Sequence, residues 1–295
     1  MTRRGWILFA AMSVIWGVPY LLIKVAVDGL SPPVVVFGRT SLAAMILVPI
    51  AVRRDAIRPA LRHWKPLLAF TALEMAGPWL LLTDAERTMP SSLAGLLIAG
   101  VPLVAAVASV ALGDRTVLEP SRLLGLVIGL VGVVFVVGIG AEGAHAWPVI
   151  EVALVVIGYA VAPFIAARAL ADVPTIGVVA TSLALVAVGY LPAAIWFRPD
   201  GMPEADSLWA LLGLAVICTA LAFVVFFALI AEVGPNRATL FTFVNPAVAL
   251  GLGVVVLDER LTSGLLLGCP LVIAGCWLAA RPARTPAESL VAAST

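Results

Sequence analysis

Ten stretches of roughly 20 apolar residues, set apart by short charged or proline-rich breaks, leave this 295-residue chain few folds to adopt. They run approximately over 5–27, 33–52, 66–83, 91–112, 122–140, 148–170, 175–197, 207–230, 236–257 and 262–280. A membrane-crossing helix needs about 20 mostly apolar residues. In lipid every backbone N–H and C=O must be satisfied within the protein, and a continuous apolar run meets that demand as a helix. Composition agrees: 62% of residues are hydrophobic and 12% charged, against about 45–50% and about 25% in a soluble domain. So few charges cannot cover a water-facing surface, and the surplus apolar surface must face lipid. The first run follows Arg3 and Arg4 and is too long for a signal-peptide core, so it is read as a helix that stays. The expected fold class is all-α integral membrane.

A net charge of +1 gives no case for nucleic acid, and no basic cluster is interleaved with aromatic residues. Cys218, Cys269 and Cys276 fall in apolar runs without metal-ligand spacing and are read as small core residues. No metal or cofactor is expected. Loops are short, which leaves little room for an extramembrane catalytic module. His63 and His145 are read as solvated loop residues, and the end of the chain, 286–295, as a polar disordered tail. With the N-terminus in the cytoplasm, 13 of the 18 Lys and Arg fall on the cytoplasmic side, Arg115, Arg281 and Arg284 among them. Arg87, Arg198 and Arg260 fall outside. This bias predicts an inner-membrane, multi-pass protein with both termini in the cytoplasm.

The chain also matches itself at an offset of 144 to 145 residues. Pro19, Lys24 and Asp28 meet Pro163, Arg168 and Asp172; Pro90 meets Pro235; Pro102 meets Pro246. Gly113-Asp114-Arg115-Thr116 meets Asp258-Glu259-Arg260-Leu261. Five spans per copy is an odd number, so the second copy must enter the membrane from the opposite side. The expected architecture is therefore ten transmembrane helices in a 5+5 inverted repeat, 1–143 and 144–285. Secondary transporters use this plan, with a site where the halves meet.

Several short motifs carry a family resemblance. They are Ile15-Trp16-Gly17, Arg39, Pro90-Ser91-Ser92-Leu93-Ala94, Val101-Pro102-Leu103 and the Asp-Glu-Arg-Leu-Thr run at 258–262. With these the chain resembles the drug/metabolite transporter superfamily, EamA type, over nearly its whole length. The last run is similar to that family's Gly-Glu-Arg-Leu-Thr signature. The resemblance implies a 5+5 fold that exports amino acids, metabolites or drugs, in exchange for protons where it is proton-coupled. It also implies a cavity lined by the first, third, fourth, sixth, eighth and ninth spans. Asn245 stands where the family often has a carboxylate before the proline of the ninth span, so the resemblance assigns no ion coupling there.

The residues themselves suggest the site. Glu74 lies mid-span, where an ionised carboxylate is costly unless it faces a cavity or is protonated. It is the expected proton-coupling group as well as a substrate contact. Trp16 and Tyr20 share one face of the first span, Tyr159 is the midpoint of the sixth, and Asn245 is near the midpoint of the ninth. All five are expected to bind substrate, with interhelical packing as the alternative for each. Pro19, Pro78, Pro163 and Pro246 have a structural part, each freeing a backbone carbonyl four residues earlier. Arg39 is expected to be a structural tie to helix-end carbonyls or to a carboxylate, Glu74 included, and Lys24 to snorkel outward. Gly125, Gly129 and Gly132 in the fifth span and Gly264, Gly268 and Gly275 in the tenth read as a packing scaffold.

The leading function is a secondary transporter of a small molecule such as an amino acid or amphipathic drug-like compound, by alternating access, with a homodimer as one possible assembly. A polytopic lipid enzyme would need a cluster of His, Asp or Glu at one interface. A channel would show a polar-lined span or a charged ring. Neither pattern is visible; a polytopic membrane enzyme, or a channel or assembly protein with no transport cycle, is the alternative reading.

Overall fold

A computed structural model of the chain describes residues 1–111, 113, 119–138 and 146–279. The 114–116 part of the first-half motif, His145, Arg281, Arg284, the 143/144 boundary and the 286–295 tail lie outside the described residues. Those described form helices and no strand.

The helices are α1 (Arg3–Ile15), α2 (Pro19–Val27), α3 (Pro32–Arg53), α4 (Ile57–Arg62), α5 (Trp64–Thr71), α6 (Gly77–Ala85), α7 (Ser91–Ile98), α8 (Val101–Ala111), α9 (Pro120–Gly138), α10 (Ala146–Ala169), α11 (Thr175–Trp196), α12 (Ala205–Ala215), α13 (Ala222–Val233), α14 (Pro235–Ala238), α15 (Asn245–Val256) and α16 (Ser263–Ala279). A π turn, Ala72–Ala76, joins α5 to α6, and another, Val216–Leu221, joins α12 to α13. A 3₁₀ turn, Thr239–Phe243, precedes α15. Among the described residues seven segments are long and apolar enough to cross a membrane, and three shorter apolar helices lie at Pro120–Val136, Asn245–Val256 and Ser263–Ala279. Each overlaps one stretch read from the sequence. The chain is thus a multi-span, all-helical membrane protein.

Prolines explain most of the breaks. Pro19, Pro32, Pro78 and Pro246 sit in the first turns of α2, α3, α6 and α15, where a missing N–H costs nothing. Pro163 differs: α10 runs through it unbroken.

Lipid tails are as apolar as leucine, so these helices associate by close packing and hydrogen bonds rather than by hydrophobic burial. The expected glycine scaffold is present. A Cβ added at Gly132 would lie 2.7 Å from the Val272 nitrogen, and one at Gly125 2.8 Å from the Gly275 carbonyl oxygen. These glycines let α9 and α16 lie backbone against backbone. Elsewhere α3 packs on α11, α2 on α12, α1 on α13, α6 on α10 and α7 on α15. Thr71 on α5 donates to the Ser182 hydroxyl on α11 at 2.7 Å.

The Asp-Glu-Arg-Leu-Thr run closes α15 and tethers α7. Asp258 adopts φ 53°, in the left-handed region that asparagine, aspartate and glycine tolerate best. The turn lets the Glu259 N–H reach the Gly253 carbonyl at 3.1 Å. The Glu259 carboxylate then accepts the Ser91 and Ser92 N–H groups at 2.7 and 3.0 Å. An anion at a helix N-terminus satisfies orphan donors and the helix dipole together.

Candidate functional site

A cavity of about 290 Å³ lies among the broken helices. Trp16 sits in the break between α1 and α2, and Tyr20 in the first turn of α2. The first π turn contributes Glu74, α10 contributes Tyr159, and α15 begins with Asn245. All five sequence-derived candidates line this one cavity.

The π turns set the local geometry. In the first, the Gly77 N–H reaches back to the Ala72 carbonyl, five residues earlier, and the extra residue widens the helix where Glu74 projects. Such bulges are rare and recur at functional sites. Tyr190 donates to the Ala76 carbonyl at 2.8 Å. Gly158 of α10 lies so near that an added Cβ would meet the Leu73 carbonyl oxygen at 2.5 Å. One carboxylate oxygen of Glu74, Oε2, is buried without a hydrogen-bond partner among the described residues. In the second π turn the Cys218 carbonyl accepts the Trp16 indole N–H at 3.3 Å. The Trp16 ring packs against Phe223, Phe226 and Phe241, with centroids 5.9, 5.2 and 5.3 Å away.

Two expectations change in detail. Arg39 makes no ion pair with Glu74 or with any other carboxylate of the described residues. Its Nε donates to the Thr219 hydroxyl at 2.8 Å, its guanidinium lies 3.8 Å from the centroid of the Trp79 ring, and it lines the cavity. A cation on an aromatic face keeps part of its electrostatic stabilisation without a counter-ion. The tenth span is more than scaffold: Gly268 and Gly275 face α9, while Ile273 and Cys276 reach the cavity. Asn245 is committed on its donor side. Its amide N–H groups point to the Phe241 and Ser13 carbonyls at 3.1 Å each, which leaves the amide oxygen for a ligand.

A family model described as the EamA-like transporter family matches residues 3–138 and again 146–281. The chain belongs to the EamA-like transporter family. It is 27% identical over 261 residues to a protein of Escherichia coli (strain K12) described as uncharacterized inner membrane transporter YedA, covering 85% of this chain and 82% of that one. It is 26% identical over 277 residues to uncharacterized transporter YvbV of Bacillus subtilis (strain 168), covering 92% and 89%. A solved crystal structure shares the fold with a TM-score of 0.68 at 20% identity, covering 95% of this chain and 97% of its own. The family makes this chain a membrane transporter rather than an enzyme.

Around the cavity of this EamA-like transporter, two polar features were not legible in the sequence. Lys24 is held by backbone carbonyls. Its ammonium donates to the Glu86 and Met89 carbonyls at 2.7 and 3.2 Å, tying α2 to the end of α6. Glu86, just past α6, is fully buried, and neither carboxylate oxygen has a hydrogen-bond partner among the described residues. Burial raises this carboxyl well above the ordinary range; nearby Lys24 opposes the shift, Glu259 adds to it and Arg39 opposes it. No sequence signal marks Glu86, because an acid in a short loop is normally solvated.

Proposed function

We propose that this EamA-like transporter is a secondary transporter that exports a small zwitterionic metabolite, such as an amino acid, through the central cavity. The observation that carries the reading is that one cavity is lined by Arg39, a buried cation without a carboxylate partner among the described residues, and by Glu74, a half-buried acid whose Oε2 has no hydrogen-bond partner among them. Unmatched charges are costly away from water and in membrane proteins mark substrate or ion paths. A ligand carrying both a carboxylate and an ammonium would complete both. Trp16, Tyr20 and Tyr159 offer apolar faces for its side chain, and Asn245 one acceptor.

The transport cycle we infer is alternating access by two inverted halves, 1–143 and 144–285, each with five spans and both termini cytoplasmic. Three facts support it. The family model matches twice, once in each half. The two π turns begin 144 residues apart, at Ala72 and Val216, the offset of the proline repeat. The contacts are also reciprocal: the first span packs on the eighth as the sixth packs on the third, and the second, fourth and fifth each pack on their own counterparts. Exchanging the halves preserves that pattern, as two interchangeable conformations require.

Glu74 is the group we assign to proton coupling. Neutralising it would remove the charge that resists passage through a closed, dry state. The test is counterflow of labelled amino acids in liposomes holding the purified protein, over a range of pH. Wild type should exchange at least one of them with a pH-dependent rate, and Glu74→Gln should lose the pH dependence. Saturable exchange of cationic drugs alone, with no amino acid, would overturn the zwitterion; an unchanged pH profile in well-folded Glu74→Gln would overturn the proton role.

A further inference from the structure

A second cavity, about 600 Å³, opens near the end of α6, away from the central site. Its walls come from the α2–α3 connection, the last turns of α6, the start of α10 and the segment after α11. They are mostly apolar, with Leu30, Leu80, Leu81 and Phe197 among them. Set into this apolar wall are Asp84, Arg87 and Glu151.

Glu151 is only 3% exposed, and its Oε2 has no hydrogen-bond partner among the described residues. Glu151 and Asp84 line the same cavity wall. Asp84 is already matched by Arg87, whose guanidinium is 3.2 Å away. Glu151 has no basic partner among the described residues. Two carboxyls on one cavity wall, with a single cation beside Asp84, leave the pair one positive charge short. A shared proton would supply that charge but needs no cavity. An apolar space of several hundred cubic ångströms beside the pair calls for a larger cation with an apolar body.

We propose that this cavity is a peripheral binding site for an amphipathic primary amine, whose ammonium bridges Glu151 and Asp84 while its apolar body rests against Leu30, Leu81 and Phe197. An ammonium has three donors, enough for both carboxyls, and charge-assisted hydrogen bonds of this kind are the stronger class. The ligand chemistry has two sources, a soluble aryl-alkylamine or the ethanolamine headgroup of a membrane lipid. The site is independent of the central cavity and uses none of its residues.

The probe is labelled phenethylamine, binding by equilibrium dialysis to the purified full-length chain in a maltoside detergent. The comparison is made in a Glu74→Gln background, so that any binding in the central cavity that depends on Glu74 is removed from every arm. Saturable binding should persist in that background and weaken by about tenfold or more on adding Glu151→Gln or Asp84→Asn, since each substitution removes a charged partner. The uncharged 2-phenylethanol should not compete. Equal binding in both variants, or competition by 2-phenylethanol as strong as by the amine, overturns the proposal. If both variants fail to fold, the protein with its native Glu151 and Asp84 still decides: phenethylamine should protect Glu151 from carbodiimide labelling read by mass spectrometry, and no protection overturns it. In nanodiscs, weaker amine binding with phosphatidylethanolamine than with phosphatidylcholine identifies the lipid headgroup as the source. Equal binding in the two lipids identifies a soluble amine.

Discussion

The two arms that carry the π turns share a backbone plan and differ in charge. One arm runs through α5, Ala72–Ala76 and α6; the other runs through α12, Val216–Leu221 and α13. At the 144-residue offset, Glu74 of the first faces the position of Cys218 in the second, Trp79 that of Phe223, and Glu86 that of Ile230. The bulge therefore does not need an acid. In the second arm a backbone carbonyl is used, bonded to Trp16, and Thr219 beside it receives Arg39. In the first arm a side chain is presented with an oxygen left open. The two arms thus share a bulge and differ in what it presents: a bonded backbone carbonyl in the second, an acidic side chain on the cavity wall in the first.

Glu74→Gln should have the largest effect, because it makes the first turn as neutral as the second. Loss of the carboxyl's bond to an ammonium predicts a drop in amino-acid exchange of about tenfold or more, measured as initial rates in proteoliposomes. Folding should survive, since the amide keeps the shape and the hydrogen-bonding capacity. Wild-type rates in this variant would erase the distinction between the arms.

Arg39→Lys should come next. Lysine keeps the charge but loses the planar stack on Trp79 and the Nε–H directed at Thr219. Exchange should fall by roughly threefold to tenfold, in the apparent affinity for substrates with a free carboxylate more than in the maximal rate. Amine analogues that lack the carboxylate should be indifferent to the change. If both substrate types lose equally, Arg39 is a strut between the arms rather than a ligand.

Much of this arrangement was open to reading before any coordinates. The prolines and the mid-span polar residues stand out because apolar spans make any exception conspicuous, and Trp16, Tyr20, Glu74, Tyr159 and Asn245 do share one cavity. The hidden parts depend on contacts between helices far apart in sequence. Arg39 reaches Thr219 across 180 positions, and Glu259 caps α7 across 168. The π turns have no composition of their own, and Pro163 shows the limit of the proline rule, since α10 absorbs it without breaking.

Glu86→Gln should have a smaller effect and one of opposite sign. The carboxyl of Glu86 is raised in the folded protein, so the folded state holds a proton that the unfolded state releases over the same pH range. Stability is therefore greatest below the unfolded carboxyl value, near pH 4.5, and falls as pH rises towards the folded value. Glu86→Gln should remove that slope and make the detergent-solubilised protein more heat-stable at neutral pH than wild type, with little difference near pH 5. A wild-type melting temperature that is flat with pH, or that falls on acidification, would contradict this assignment. It would leave Ile230 and Glu86 equivalent as packing residues.

Cys218→Ala should have the smallest effect, and it isolates what the second arm contributes. The thiol is buried and carries no charge that the cavity needs. What the arm supplies at this position is the carbonyl that accepts the Trp16 indole N–H, and alanine keeps that carbonyl. The substitution removes one sulfur atom from a packed interior, which costs about 1 kcal/mol in a site that does not collapse, and exchange should stay within about twofold of wild type. Trp16→Phe is the matched control. It leaves Cys218 untouched, deletes the indole donor and leaves the carbonyl unsatisfied, at a cost of about 1–3 kcal/mol. The two variants should therefore separate in thermal stability, with Trp16→Phe the more damaging. If Cys218→Ala instead reduces exchange as severely as Glu74→Gln, the side chains of both turns act on the substrate, and the division between a structural arm and a titratable arm fails.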